Sequence, residues 1–198
     1  MIDLAAKTEL ILQKNLKKYI TYLSIILLVV IAGCFIYSSS KQAENEKTGL
    51  EYLTFKEAAD DIPKLREFVK KSKLKRPKQL AILKIGKLHQ STGNTEKALT
   101  TFQSFLKDYP NYDKKASVQI AIAKCQMDMQ KLAEAEQLFV KVADTASQYA
   151  AQAYFYAAEC ARLQKNAGRA KELYEKVLLS DTEGFFKQSA EKELKLLQ

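Results

Sequence analysis

The sequence has no tryptophan, a single histidine, three prolines and six glycines in 198 residues. So few turn formers leave little material for the tight hairpins of a β-rich protein. Ala, Leu, Lys, Glu and Gln abound instead, and the composition predicts an all-α fold. Cysteine is scarce too: Cys34, Cys125 and Cys160 form no CxxC pair. A structural zinc site takes about four nitrogen or sulfur ligands in close spacing, which one histidine and three scattered cysteines do not supply. No Gly-rich phosphate loop and no paired carboxylates stand out, and no serine or acid can be assigned to His89 as a triad. The expectation is a non-enzyme without cofactor or metal, in which His89 is a core or boundary residue.

Positive charge is not lacking. Lys and Arg number 32 against 23 Asp and Glu, a formal charge of +9. Cations neutralise phosphates, so nucleic acid has to be weighed. The acids are interleaved with the bases and no recognition motif accompanies them, so a mixed, solvated surface is expected and no nucleic-acid partner. One stretch is locally one-sided: Lys70, Lys71, Lys73, Lys75, Arg76 and Lys78. Cations at a helix C-terminus account for Lys70 and Lys71. The remainder, close behind an apolar segment, suggests contact with anionic lipid head groups.

That segment is the longest apolar run. Tyr19 to Ser40 carries no charge, and "ITYLSIILLVVIAGCFIY" runs for 18 positions. A helix of ~20 apolar residues spans the ~30 Å hydrocarbon layer, so the run predicts a transmembrane helix over 19–37. Lys14, Lys17 and Lys18 precede it closely, whereas Lys41, Lys47 and Lys56 follow at wider spacing. This bias puts residues 1–18 in the cytoplasm and the rest in the periplasm or outside the cell. The alternative is a lipoprotein: "Ile31-Ala32-Gly33-Cys34" resembles a lipobox, with Cys34 the acylated residue. Phe35, Ile36 and Tyr37 keep the run apolar beyond Cys34, which favours the uncleaved helix. A second alternative is a basic adaptor facing the cytoplasm and contacting lipid or nucleic acid.

The remaining sequence repeats itself. With Ala98, Ala135 and Ala170 aligned, a small residue lies twelve positions earlier (Gly86, Ala123, Ala158). An aromatic lies four later (Phe102, Phe139, Tyr174), and an apolar residue seven later (Phe105, Val142, Val177). Two antiparallel helices approach most closely where both side chains are small, so Gly86 is expected to face Ala98 at the crossing, and likewise in the other blocks. Each hairpin alone leaves an apolar face bare, and stacking buries it in a short solenoid.

These blocks resemble tetratricopeptide repeats. The first is the clearest, with "Ile85-Gly86", Gly93 at the turn, "Ala98-Leu99", Phe102 and the exit "Tyr109-Pro110-Asn111". In the other two, Gln130 and Lys165 replace the turn glycine, Ser147 and Thr182 replace the exit proline, and Gln119 and Gln126 take usually apolar positions. The expected layout is connecting helices over 38–76, three repeats within 77–181 framed approximately as 79–112, 116–149 and 151–184, and a capping helix over 182–198. With its apolar N-terminal segment, the chain as a whole is similar to the YfgM-type family. That resemblance implies one membrane helix, a periplasmic tetratricopeptide-like domain, and the SecYEG translocon and periplasmic chaperones as partners at the inner membrane. A scaffold for protein–protein interaction is the expected function.

The repeat resemblance also implies where a partner sits. The inner face is lined by the first helix of each hairpin: Leu83 and Lys87; Ile120, Lys124 and Met127; Phe155, Glu159 and Arg162. Leu83, Ile120 and Phe155 would form an apolar stripe beside charges, suited to an extended or helical segment. Cys125 and Cys160 take equivalent places two residues after the small crossing residue. Equivalent positions on neighbouring helices are ~8–10 Å apart, beyond the ~7 Å limit for a disulfide, so both are expected as buried free thiols.

Overall fold

Apolar residues three and four apart give each segment one greasy face, and a helix with such a face is stable chiefly by packing it against another. The computed structural model describes residues 27–42, 45, 47, 49–58, 60–180 and 184–197, among which no strand occurs. The chain divides into two units, 1–53 and 54–198, each taken by itself.

In the first unit, residues 27–42 are helical and the large apolar side chains from Leu27 to Tyr37 are exposed. Cys34 lies on this helix, also exposed. Among the described residues no helix is long and apolar enough to cross a membrane. The expected span over 19–37 is therefore not supported here. Of that span only 27–37 falls among the described residues, and Ser38, Ser39, Ser40 and Lys41 end the apolar run on its C-terminal side. Residues 1–18 and the first part of that span, 19–26, lie outside the described residues.

The second unit is a helical solenoid. A short helix, α1 (Ile62–Lys71), is capped by Asp61, whose carboxylate accepts the Lys64 backbone N–H at 3.0 Å. Three hairpins follow: α2 (Lys75–Ser91) with α3 (Thr95–Asp108), α4 (Lys115–Asp128) with α5 (Leu132–Thr145), and α6 (Ala150–Leu163) with α7 (Ala167–Ser180). A helix α8 (Phe185–Leu196) closes the series. Consecutive helices pack on one another, and α8 also touches α6.

The repeated residues occupy the hairpin interiors. Ala98, Ala123, Ala135, Ala158 and Ala170 are fully buried, as are the aromatics Phe102, Phe139 and Tyr174 to within 1%. Burying each such ring contributes roughly 1.5–3 kcal/mol, so these aromatics are the main apolar anchors of the hairpins. One contact is especially tight. The atoms nearest Gly86 belong to Phe102: a Cβ built on Gly86 would lie 2.5 Å from Phe102 Cε1. The small residue makes room for the ring one turn further on.

The hairpin turns repeat one backbone solution. Gly93, Gln130 and Lys165 all have positive φ, at 75°, 61° and 59°. In the first turn the Gly93 N–H donates to the Gln90 carbonyl and the Asn94 N–H to that of His89. Gln130 and Lys131 do the same toward Met127 and Gln126, and Lys165 and Asn166 toward Arg162 and Ala161. This pairing satisfies the orphan carbonyls at a helix end and demands a left-handed residue at its centre. The turn geometry outlasts the loss of the glycine.

Candidate partner groove

The first helix of each hairpin lines the inner face, but the three hairpins do not present it equally. Ile120 is only 5% exposed, sealed in a core with Ala153, Ala157 and Tyr174. Met127 is half-buried against the same core. The expected apolar stripe of Leu83, Ile120 and Phe155 is thus a packing seam at its centre. Ala153 and Ala157 belong to α6, the first helix of the next hairpin, which shares this core with Ile120.

At the third hairpin the face is occupied by the chain itself. Phe155 meets Tyr156, Tyr174 and Phe186 with ring centroids 5.7–5.8 Å apart. Phe186 belongs to α8, so the closing helix covers this part of the face. Glu159 accepts hydrogen bonds from Arg162 at 2.7 Å and from the Tyr174 hydroxyl, and Arg162 reaches Glu193 of α8 at 3.8 Å. Burial disfavours the Glu159 carboxylate, but these hydrogen bonds and the Arg162 charge outweigh it and hold its pKa below the usual value. Burial and the Glu159 contact push the Tyr174 hydroxyl upward. Lys124 lies 4.0 Å above the Tyr156 ring, a cation–π contact that engages it internally.

The open part is at the first two hairpins. Between α2 and α4 lies a groove of about 340 Å³, floored by Leu80, Leu83, Val118 and Ala121. Lys84, Lys87 and Lys114 stand along it, and its lining contains no carboxylate. Lys84 is paired with Asp60 at 2.9 Å. Leu83 and Lys87, named from the sequence, are here; Ile120, Lys124, Met127, Phe155, Glu159 and Arg162 are not. Leu80, Lys84, Lys114, Val118 and Ala121 were missed. Helical spacing held the signal for them, since Leu80, Lys84 and Lys87 fall three and four apart on one face.

Cys125 and Cys160 are buried and free. Burial, reinforced by Asp128, raises the Cys125 thiol to about 11. Burial, with Glu136 and Glu159 nearby, raises Cys160 to about 12. Neither is a nucleophile at neutral pH. His89 is buried, its Nδ1 has no hydrogen-bond partner among the described residues, and burial with the Arg66 and Lys97 charges lowers its pKa. No group of three or more His, Cys, Asp or Glu able to hold a metal occurs among the described residues.

Stacked helix pairs with a small residue under an aromatic and a left-handed turn define a helical-hairpin solenoid of the tetratricopeptide type. The profile described as Tetratricopeptide repeat matches residues 80–112 and 152–180, the first and third hairpins, and the chain carries such repeats. Among solved structures it is similar to one titled MamA RS-1 ArsTM double mutant, with 17% identity, 78% of this chain and 80% of that one covered, and a TM-score of 0.56. It is also similar to a tetratricopeptide repeat protein from Parabacteroides merdae, with 12% identity, coverage of 79% and 60%, and a TM-score of 0.59. At these identities the likeness is one of fold. No curated protein matches the sequence.

Proposed function

We propose that the protein is a scaffold that holds an extended segment of a partner protein on the inner face of its first two hairpins. The groove between α2 and α4 carries this reading, because half-buried Leu80, Leu83 and Ala121 line it together with three lysines and no acid. An apolar side chain would enter between Leu80, Leu83 and Ala121, with a carboxylate on the segment meeting Lys87 or Lys114. The YfgM-type resemblance carries the finer version, in which the scaffold is held at the inner membrane by its N-terminal helix and assists secreted proteins or chaperones at the SecYEG translocon. The exposed apolar side chains from Leu27 to Tyr37 support an anchor of that kind.

A photocrosslinking side chain placed singly at Leu83, Ala121 or Phe155 in the full chain tests the groove in native membranes. Crosslinks at Leu83 and Ala121 that vanish on adding Lys87→Glu are expected, with Phe155 silent. Crosslinks confined to Phe155 would remove the groove assignment. The finer version expects translocon or periplasmic chaperone adducts and a C-terminal reporter active only outside the cytoplasm. A reporter active in the cytoplasm would leave the groove standing and discard the translocon. Intact mass separates the lipoprotein alternative, which requires loss of residues 1–33 and a lipid added at Cys34.

A further inference from the structure

The loops of a helical-hairpin solenoid fall on two edges. Turns within hairpins, at Gly93, Gln130 and Lys165, form one; connections between hairpins form the other. The connecting edge is basic at its N-terminal end. Arg76, at the start of α2, donates to Asp113 in the α3–α4 connection at 3.1 Å, so the α1–α2 corner and that connection lie side by side. Lys75, Arg76, Asn111 and Asp113 together line a shallow recess there.

The charges on this edge are lopsided. Lys71 is paired with Glu67 at 2.7 Å and Arg76 with Asp113. Lys70, Lys73, Lys75, Lys78, Lys114 and Lys115 have no ion pair among the described residues. All but Lys78 are exposed. Glu67 and Asp113 are already engaged; Asp108 stands at the end of α3, and Glu57 lines a recess with Glu67 and Lys71. Further along the same edge, the α5–α6 connection Ala146–Tyr149 carries no charge at all. The excess is concentrated, not spread.

We infer that this edge is an electrostatic docking surface for an anionic lipid bilayer, with the lysines of the α1–α2 corner and the α3–α4 connection resting on the head groups. Three observations favour a bilayer over other polyanions. The cations come from two loops on one edge and form a broad face instead of a helix shaped for a groove. Lys70–Lys78 contains no aromatic side chain to stack on a base, and Tyr109 and Tyr112 of the α3–α4 connection are packed on Phe105, with ring centroids at 4.9 and 5.0 Å. The chain also carries, ahead of the patch in sequence, a helix whose large apolar side chains from Leu27 to Tyr37 are exposed and which a bilayer would take up. Ammonium groups on flexible stems suit a fluid array of phosphates, where no fixed geometry is demanded. Lys114 also lines the groove, but Lys70, Lys73, Lys75 and Lys115 do not, so the inference does not depend on the groove.

The full chain is incorporated into vesicles of phosphatidylcholine alone or with phosphatidylglycerol, so that any apolar anchor is served equally. Acylation of individual lysines is then followed by peptide mass spectrometry. Lys73, Lys75 and Lys114 are expected to react roughly five-fold more slowly on the anionic vesicles, the size of one favourable cation–membrane contact. Roughly 1 M salt, with a Debye length of ~3 Å, should restore the rate. Lys131 and Lys165, on the opposite edge, should change little. Lys73→Glu together with Lys75→Glu, both exposed, should abolish the slowing at Lys114 with unchanged circular dichroism. Equal rates on the two vesicles, equal slowing at Lys131 and Lys165, or stronger protection by duplex RNA than by anionic vesicles would each overturn the inference.

Discussion

At the scale of single residues, the three turns separate sequence from geometry. A positive φ costs an ordinary side chain about 1 kcal/mol that glycine does not incur. Gln130→Gly and Lys165→Gly should therefore each raise stability by about 0.5–1 kcal/mol, read as a shift of the urea midpoint without a change of slope. Gly93→Ala should lower it. Gly86 carries the opposite risk. Alanine there gains helix propensity, yet its Cβ would meet a Phe102 ring that is itself fully packed. Overpacking of this kind costs roughly 1–3 kcal/mol, so Gly86→Ala should destabilise the solenoid by thermal melting. The repeat spacing made Gly86 legible as special. The crowding by the Phe102 ring was not, because spacing shows that two positions are close without showing which side chain fills the gap.

Among the elements, α8 changes the reading most. Its amphipathic pattern made a closing helix legible from the sequence, but its resting place on the inner face of the third hairpin was not. Phe186 looks like any other apolar residue until it is seen against Phe155 and Tyr156. Phe186→Ala should destabilise by about 1–3 kcal/mol, below the range for a fully buried phenylalanine because the ring is half-buried. It should also raise the fluorescence of a dye that binds apolar surface. Ile120 illustrates the converse. Its place in the repeat pointed to an open face, whereas burial depends on which helix stacks next, a tertiary fact that no single repeat encodes. The 19–37 segment was read by hydropathy alone, and its first part lies outside the described residues.

For the molecule as a whole, the solenoid has a covered end and an open end. A partner held on the first two hairpins would lie beside the basic connecting edge, and the third hairpin would serve chiefly as structure. The two buried cysteines report on global stability. With folded pKa values raised from 9.0 to about 11 and about 12, their contribution is fully present below the unfolded value near 9 and is lost as pH rises toward 11–12. Cys125 and Cys160 should be inert to iodoacetamide at pH 7.5, reacting at the rate of unfolding in denaturant, and the melting temperature should fall above pH 9. Fast labelling of either in the native state would contradict the packing described. Thiols that neither pair nor reach solvent also make the fold indifferent to redox potential. An oxidising compartment has no bridge to add and a reducing one none to remove, so the same solenoid would stand unchanged on either side of a membrane.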